Sequence, residues 1–517
     1  MKNKLKIWPF GGVDEIGGTK LLLDWNNGDT RLFLDFGKSY SIERMYSQFP
    51  SPTLTFDELL TIRAIPPPDT PSLNFGTLYS KLVNPKDKES LKTVDYLSTY
   101  KDIDDPEPPV DGVIISHAHT DHYQYISLLN RNIPIYIGEC GLNILRMRMW
   151  LERKTITSNF FHFNYLTFKT GQKLKFGDIE VVPIHVDHSI PGAYGFLIYT
   201  PEGTIVYTGD FRFHGHKPSL SHHFLDVILD SGEIDVLISE GTHISESGFS
   251  TEEEVKEKSK SVINKVEKLV IADFSNTDFD RFRTFYEVAK STGRKLVLTQ
   301  KQALILSAMN LCNELESPNI MTDEDILILA NFEKKKFEIW EKMFLNFMGV
   351  DIHSKVRETS FTIGFSAMLD RLKRPPTDKI VSNNELKQNP ERYIFAPSFN
   401  TTNDLRKIHP PSGSLYLLST SEPFNEEREI QFDKLLNWLT LFGMPMIKIH
   451  VSGHANPLDL QTFITSIRPK KLVPIHTENS QLFVNLFRPL GIHVEVPKYA
   501  TPIESVSYTH LTLPTKA

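Results

Sequence analysis

Short β-rich apolar runs dominate the first half of the chain. Lys20 to Asp24, Arg31 to Asp35, Val113 to Ile115 and Thr204 to Tyr207 read as strands. Helical spacing takes over at Ser250-Thr-Glu-Glu253, a capping box that leads into an amphipathic segment from Val255 to Leu269. Strands and helices then alternate: a strand over Lys268 to Ala272, a helix near Asp280 to Ser291, a strand over Lys295 to Thr299, and a helix over Gln302 to Glu314. That order predicts a parallel α/β unit distinct from the first half. Ser414 to Leu418 reads as a further strand, Glu426 to Leu441 as a helix, and Ile447 to Val451 and Lys471 to Ile475 as later strands, with no internal repeat. Residues 38 to about 110 break the pattern. Ile65-Pro-Pro-Pro-Asp69 and Asp105-Pro-Glu-Pro-Pro109 fit neither period, so this stretch is expected to be an inserted surface excursion, with a substrate-facing flap as the alternative.

The apolar run Val113-Ile-Ile115 feeds into His117-Ala-His119-Thr-Asp121-His122, four metal donors within six residues. A buried strand delivers its following loop to a fixed place, and two imidazoles separated by one small residue can converge on one ion. One tetrahedral zinc rarely takes four ligands from so short a loop and still leaves a position for water. The stretch therefore predicts two metals and hydrolytic chemistry. The competing reading is a polar loop whose histidines bond to solvent and backbone. Three downstream residues, each ending an apolar run, weigh against it. His188, in Val182-Pro-Ile-His-Val-Asp-His188, would complete a three-histidine set with His117 and His119. Asp210, after Thr204-Ile-Val-Tyr-Thr-Gly209, offers a carboxylate able to bridge two cations, and Gly209 permits close backbone approach. His476, closing Lys471-Leu-Val-Pro-Ile475, could finish a second ion with Asp121 and His122.

With 517 residues and 40% hydrophobic content, the chain can bury a large core and is expected to form two or more domains. It holds no run of about eighteen apolar residues, and its first residues lack a long apolar signal segment, so a soluble cytoplasmic protein without a membrane partner is expected. Two cysteines, Cys140 and Cys312, exclude a disulfide framework and fit a reducing compartment; neither is placed as a nucleophile. A net charge of -7 argues against a generally basic nucleic-acid-coating surface while leaving a local groove open.

Asp35 in Leu34-Asp-Phe-Gly37, the His117 to His122 loop, His188, and Asp210 in Tyr207-Thr-Gly-Asp-Phe211 resemble, in order, the four motifs of the metallo-β-lactamase fold. Glu240 in Ser239-Glu-Gly-Thr242, His454 in His450-Val-Ser-Gly-His-Ala455 and His476 in Pro474-Ile-His-Thr-Glu478 resemble motifs A, B and C of the β-CASP nucleases. Within that group Phe10-Gly-Gly-Val-Asp-Glu-Ile-Gly17 and Asp273-Phe-Ser-Asn-Thr277 look most like the ribonuclease J family. The resemblance implies an α/β protein: an αββα metallo-β-lactamase sandwich with an inserted α/β β-CASP domain. It places the first part of the sandwich at 1–245, the β-CASP domain at 246–447 and a return segment at 448–503.

The same resemblance assigns roles. His117, His119 and His188 would bind one zinc, Asp121, His122 and His476 the other, and Asp210 would bridge, with manganese also suited to such donors. Asp35 would sit behind a metal histidine and fix its orientation. Attack by hydroxide held between the two ions on a phosphodiester is implied, with Asp121 serving that chemistry as well as the metal. A ribose 3′-oxygen leaves as a strong base, so His454, oriented by Glu240, is the candidate acid. His450, Ser452 and Gly453 resemble the family's phosphate-contacting loop. His476 favours RNA over DNA by analogy, and both 5′-exonuclease and endonuclease modes belong to the group. A DNA nuclease and a small-molecule hydrolase on the same metal core are the alternatives, followed by a non-catalytic binding scaffold; a homodimer is left open. Ribonuclease J carries a further C-terminal domain. Val506 to Thr515 resembles a translated sequencing adaptor, so 504–517 is set aside as an artefactual tail.

Overall fold

The computed structural model describes residues 4–47, 54–81, 105–151, 160, 163–245, 250–309, 312, 318–329, 377–397, 401–420 and 426–504. The first sheet is built from β1 (Leu5–Gly11), β2 (Lys20–Trp25), β3 (Thr30–Leu34), β4 (Gly112–Ile115), β5 (Ile135–Gly138) and β6 (Tyr165–Phe168). The second begins with β7 (Leu174–Phe176), β8 (Ile179–His185), β9 (Tyr194–Thr200), β10 (Gly203–Tyr207) and β11 (Val236–Glu240). A third sheet then intervenes: β12 (Val270–Asp273), β13 (Lys295–Leu298), β14 (Ile326–Leu329), β15 (Ile380–Val381), β16 (Tyr393–Ala396), β17 (Leu415–Leu418) and β18 (Met446–Lys448). The chain returns with β19 (Lys471–Ile475) and β20 (His493–Val494) in the second sheet and β21 (Ile503–Glu504) in the first.

The spatial orders are β21-β1-β2-β3-β4-β5-β6, β20-β19-β11-β10-β9-β8-β7 and β15-β14-β13-β16-β12-β17-β18. All pairs in the third sheet are parallel, as alternating strands and helices require.

Side-chain alternation shows how the layers stack. In β2, Leu21 and Leu23 point into a core shared with Ile198, Ile205 and Val236 of the second sheet, while Leu22 faces the other way with Phe33 and Val113. The second sheet's outer face, with Leu197, Val206 and Leu237, is covered by Phe224, Phe463 and Phe483 from helices Pro218–Asp230, Pro457–Ile467 and Ser480–Phe487. Strands buried on both faces read as continuous apolar runs, hence the strength of the strand signal at Leu21-Leu-Leu23. The result is the expected αββα sandwich with a separate α/β sheet. β11 pairs directly with β19, Glu240 opposite Ile475, although the whole third sheet lies between them in sequence.

Several expectations need correction. The helix after Ser250 is Glu252–Ile263, capped by Thr251, whose side chain accepts from Glu254 N. Val266 and Leu269 prolong the apolar period after the helix has ended, so the sequence overstates its length. The strand read over Ile447 to Val451 stops at Lys448. The helix read over Gln302 to Glu314 is described as Gln300–Met309; its expected last turn, apart from Cys312, lies outside the described residues.

The stretch 38–110 is no mere surface excursion where it is described. Leu59, Ile65, Phe75 and Leu78 have no solvent exposure, and the Phe75 ring stands 5.8 Å from Phe10 and 6.0 Å from Phe33. Anchors this sparse make no periodic pattern, yet each one seats in the core. Residues 48–53 and 82–104 lie outside the described residues. Cys140, in helix Glu139–Leu151 of the sandwich, and Cys312, in the unit built on the third sheet, form one disulfide, with Cα atoms 5.3 Å apart. It is a single cross-link rather than a framework, between cysteines 172 residues apart in sequence. Glu504 belongs to β21 and bonds Lys4, so the sheet runs one residue into the span set aside as tail. Among the described residues no helix is long and apolar enough to cross a membrane.

Candidate metal centre

Four strand ends converge at one place. The His117 loop follows β4, and its donors Asp121 and His122 lie on the short helical turn Thr120–Tyr123. His188 follows β8, Asp210 follows β10, and His476 follows β19. Glycines permit the close packing. A Cβ at Gly37 would stand 1.6 Å from the Asp121 carbonyl oxygen, and Gly209, at φ +56°, would place one 2.7 Å from Tyr194 O.

The ring nitrogens face one another. His117 Nε2 lies 3.1 Å from His119 Nδ1, which lies 3.0 Å from His188 Nε2. A tetrahedral ion with bonds of about 2.0 Å holds its donors about 3.3 Å apart, close to this spacing. Burial, reinforced by the neighbouring imidazoles, pushes His117 and His188 well below their usual range, and burial takes His119 down to about 4. All three are thus neutral, with lone pairs available to a cation.

On the other side, Asp121 Oδ2 stands 3.3 Å from His476 Nε2 and 3.9 Å from His122 Nε2. Burial favours the neutral carboxyl, but His122 and His476 outweigh it and hold Asp121 below the carboxylate range. Asp210 lies between the sets: its Oδ2 is 3.4 Å from His117 Nε2, 3.1 Å from His122 Nε2 and 3.7 Å from His476 Nε2. Its Oδ1 and His122 Nε2 are buried without a hydrogen-bond partner. Buried polar atoms of this kind are rare unless something else occupies their lone pairs. Orphaned acceptors, converging lone pairs and a shared carboxylate fit a metal site. Three donor groups emerge: His117, His119, His188 and Asp210; Asp121, His122 and His476; and Asp210, Glu240, His454 and His476.

Partners behind the donors fix which nitrogen faces inward. Asp35, fully buried at φ +59°, accepts from His122 Nδ1 at 2.8 Å, from Ser116 N at 2.7 Å and from Ser116 Oγ at 2.8 Å, and also from the Tyr207 hydroxyl. Ser116 Oγ in turn lies 3.0 Å from His117 Nδ1. His188 Nδ1 donates to Gly453 O, and Thr242 Oγ1 lies 2.8 Å from His476 Nδ1. With Nδ1 engaged, Nε2 of these histidines is left for the interior. Ser116, Tyr207 and Thr242 carried no signal of their own in the sequence beyond adjacency to donors.

Glu240 is fully buried, and its Oε2 lies 3.1 Å from His454 Nδ1; Asp210 Oδ2 lies 3.8 Å from the same nitrogen. Burial opposes charging His454, but Glu240 and Asp210 prevail and raise it to about 9. The structure brings His454 and Glu240 to the donor cluster. His450 instead lies against Arg281, with Nη1 3.3 Å from its Nδ1; burial and that guanidinium push it down to about 3. Ser452 Oγ meets His243 Nε2, and Gly453 is engaged through its carbonyl.

Residues 98–252 match the beta-lactamase superfamily domain, and residues 444–497 match the Zn-dependent metallo-hydrolase RNA specificity domain. Ribonuclease J 2 of Streptococcus pyogenes is 25% identical over 72% of this chain and 60% of its own length. Ribonuclease J of Sinorhizobium meliloti is 24% identical, over 75% of this chain and likewise 60% of its own length. The chain thus spans about 60% of the length of these two relatives. Ribonuclease J of Mycoplasma pneumoniae is 22% identical over 95% of this chain and 71% of its own length. A crystal structure of a protein of unknown function from Enterococcus faecalis has the same fold, with a TM-score of 0.69 and 21% identity over 97% of this chain and 100% of that one.

Proposed function

We propose that this chain, a metallo-β-lactamase-fold protein of the β-CASP group and similar to ribonuclease J, is a metal-dependent hydrolase that cleaves RNA. The observation that carries the reading is the Asp210 carboxylate, placed between two sets of buried donors. We assign two zinc ions per chain, with manganese suited to the same donors. His117, His119 and His188 would hold one, Asp121, His122 and His476 the other, and Asp210 would be shared. When bound, such a pair supplies positive charge against the phosphoryl group and lowers the pKa of water in the site.

The chain's own residues do the rest. Asp35 orients His122 directly and His117 through Ser116. Glu240 holds His454 by Nδ1, leaving the Nε2 proton of the imidazolium for the leaving 3′-oxygen. Ser452 and Gly453, beside His454, are our candidates for contact with the nucleic-acid backbone, with His450 behind them. The match to an RNA specificity domain over 444–497 supports both the substrate class and a return segment at 448–503, with the inserted domain at 246–447. RNA as substrate suits a cytoplasmic enzyme.

The test is digestion of 5′-labelled single-stranded RNA and matching DNA by protein stripped with chelator and reloaded with zinc or manganese. Cleavage of RNA restored by metal is expected, and product lengths separate 5′-exonuclease from endonuclease action. Fully loaded protein that leaves RNA intact would overturn the proposal.

A further inference from the structure

The segment from Ile449 to Asn456, between β18 and helix Pro457–Ile467, belongs to no helix or strand. Its carbonyls have no sheet ladder to bond, and buried carbonyls need donors. Three consecutive ones find side chains instead. Val451 O accepts from Arg281 Nη2 at 3.2 Å, Ser452 O from Arg212 Nη1 at 2.8 Å, and Gly453 O from His188 Nδ1. His454 is the next residue.

The two arginines come from different units. Arg212 follows Asp210 in the sandwich, whereas Arg281 lies in the first turn of helix Phe279–Ser291, against the third sheet. Both are almost fully buried, at 1% and 0% exposure, so their charges must be paired. Arg281 makes a two-pronged contact with Glu252, at 2.8 and 3.2 Å, and donates to Ser419 O at 3.0 Å. Arg212 is paired with Asp280, the residue before Arg281, and its Nε lies 3.7 Å from Asp187, the residue before His188. Carboxylates therefore fix each guanidinium, Glu252 through Arg281 Nε and Nη2 and Asp280 through Arg212 Nη2, while Arg281 Nη2 and Arg212 Nη1 also reach the loop carbonyls. The planar fork of arginine suits this double duty, and a lysine ammonium cannot reproduce it.

We propose that Arg212 and Arg281 are positioning residues: they clamp the Val451-Ser-Gly453 backbone from the two units and thereby set His454 against the reacting phosphodiester. This rests on the reading of His454 as the group that serves the leaving oxygen. Misplacing a reacting group by a fraction of an ångström to an ångström slows chemistry without weakening substrate binding to the same degree.

Arg212→Lys and Arg281→Lys keep the charge and lose the fork. Each is to be assayed on an RNA oligonucleotide, alone and combined with His454→Ala, with metal content measured in parallel. We expect kcat to fall at least about tenfold, any rise in KM through the Ser452 and Gly453 contact to be smaller than that fall, metal content unchanged, and less than about a twofold further loss in kcat in the His454→Ala background. Should a lysine variant fail to fold, the pair Arg281→Met with Glu252→Met removes both buried charges together and is held to the same criteria. Unchanged kcat, or the same fold loss with and without His454, would overturn the clamp while leaving the hydrolase reading intact. Metal-loaded wild-type protein inert on RNA would overturn both.

Discussion

Asp35 has both oxygens taken by donors from the metal loop and from Tyr207, and this decides how His122 presents its other nitrogen. Replacing it with alanine leaves buried donors unpaired and frees the imidazole to turn. Asp35→Ala is expected to weaken metal binding by about 10- to 100-fold, read by competition with a chromophoric chelator; wild-type affinity would remove it from the site. His119 is different in kind, because its Nδ1 lies within 3.1 Å of both neighbouring donor nitrogens. His119→Ala should lose metal and activity together, whereas His454→Ala should keep its metal and cut RNA at least about 100-fold more slowly. Atomic emission and single-turnover rates separate the two outcomes. The candidate donors stood out in the sequence only as a set, since a single histidine at a strand end is commonly a hydrogen-bonded core residue whereas several at the ends of separate apolar runs together point to a metal site. Ser116 and Thr242 did not, since hydroxyls are common everywhere and only geometry shows that one lies 2.8 Å from His476 Nδ1. Arg212 and Arg281 look like ordinary surface charges until burial is known.

Helix Phe279–Ser291 and helix Glu252–Ile263 meet through Glu252, which accepts from Arg281 Nε at 2.8 Å and Thr284 Oγ1 at 2.7 Å. Burial opposes its charge, but Arg281 wins and the carboxyl is held down to about 2, against 4.5 ordinarily. A depressed carboxyl adds stability that is fully present above its unfolded pKa and disappears as pH falls through the folded one. The stability gap between wild type and Glu252→Gln should therefore be a few kcal/mol near neutrality and shrink between about pH 5 and pH 2, as denaturant unfolding would show. A gap independent of pH would mean that Glu252 acts only by shape. The turn at Leu34-Asp-Phe-Gly37 makes a second case. A methyl at Gly37 would meet the Asp121 backbone, so Gly37→Ala should displace that turn and lower metal content in a protein whose circular dichroism is unchanged. Elements were read well where both faces are buried, as in β19, whose bounds match the apolar run Lys471 to Ile475. They were read poorly where an apolar period outlasts its hydrogen bonds, as after Ile263.

At the scale of the molecule, the third sheet followed from the alternation of strand and helix patterns, whereas the sandwich was implied only by the resemblance to the metallo-β-lactamase motifs. The burial of 54–81 and the bridge between Cys140 and Cys312 followed from neither, because both are long-range contacts made by isolated residues. The bridge has a direct check. Cyanogen bromide cuts after Met147 and Met309, so the peptides carrying Cys140 and Cys312 should leave a column joined and separate only after a thiol reductant exchanges with the disulfide. Two separate thiol peptides without reductant would show the cysteines reduced. The pairing of β11 with β19 reaches further still. His476 enters the cluster only when β19 lies beside β11, with the whole third sheet already behind it in the order of synthesis. A nascent chain still on the ribosome holds the His117 loop long before it holds His476. The candidate second set of donors can therefore close only once β19 has been made and has paired with β11.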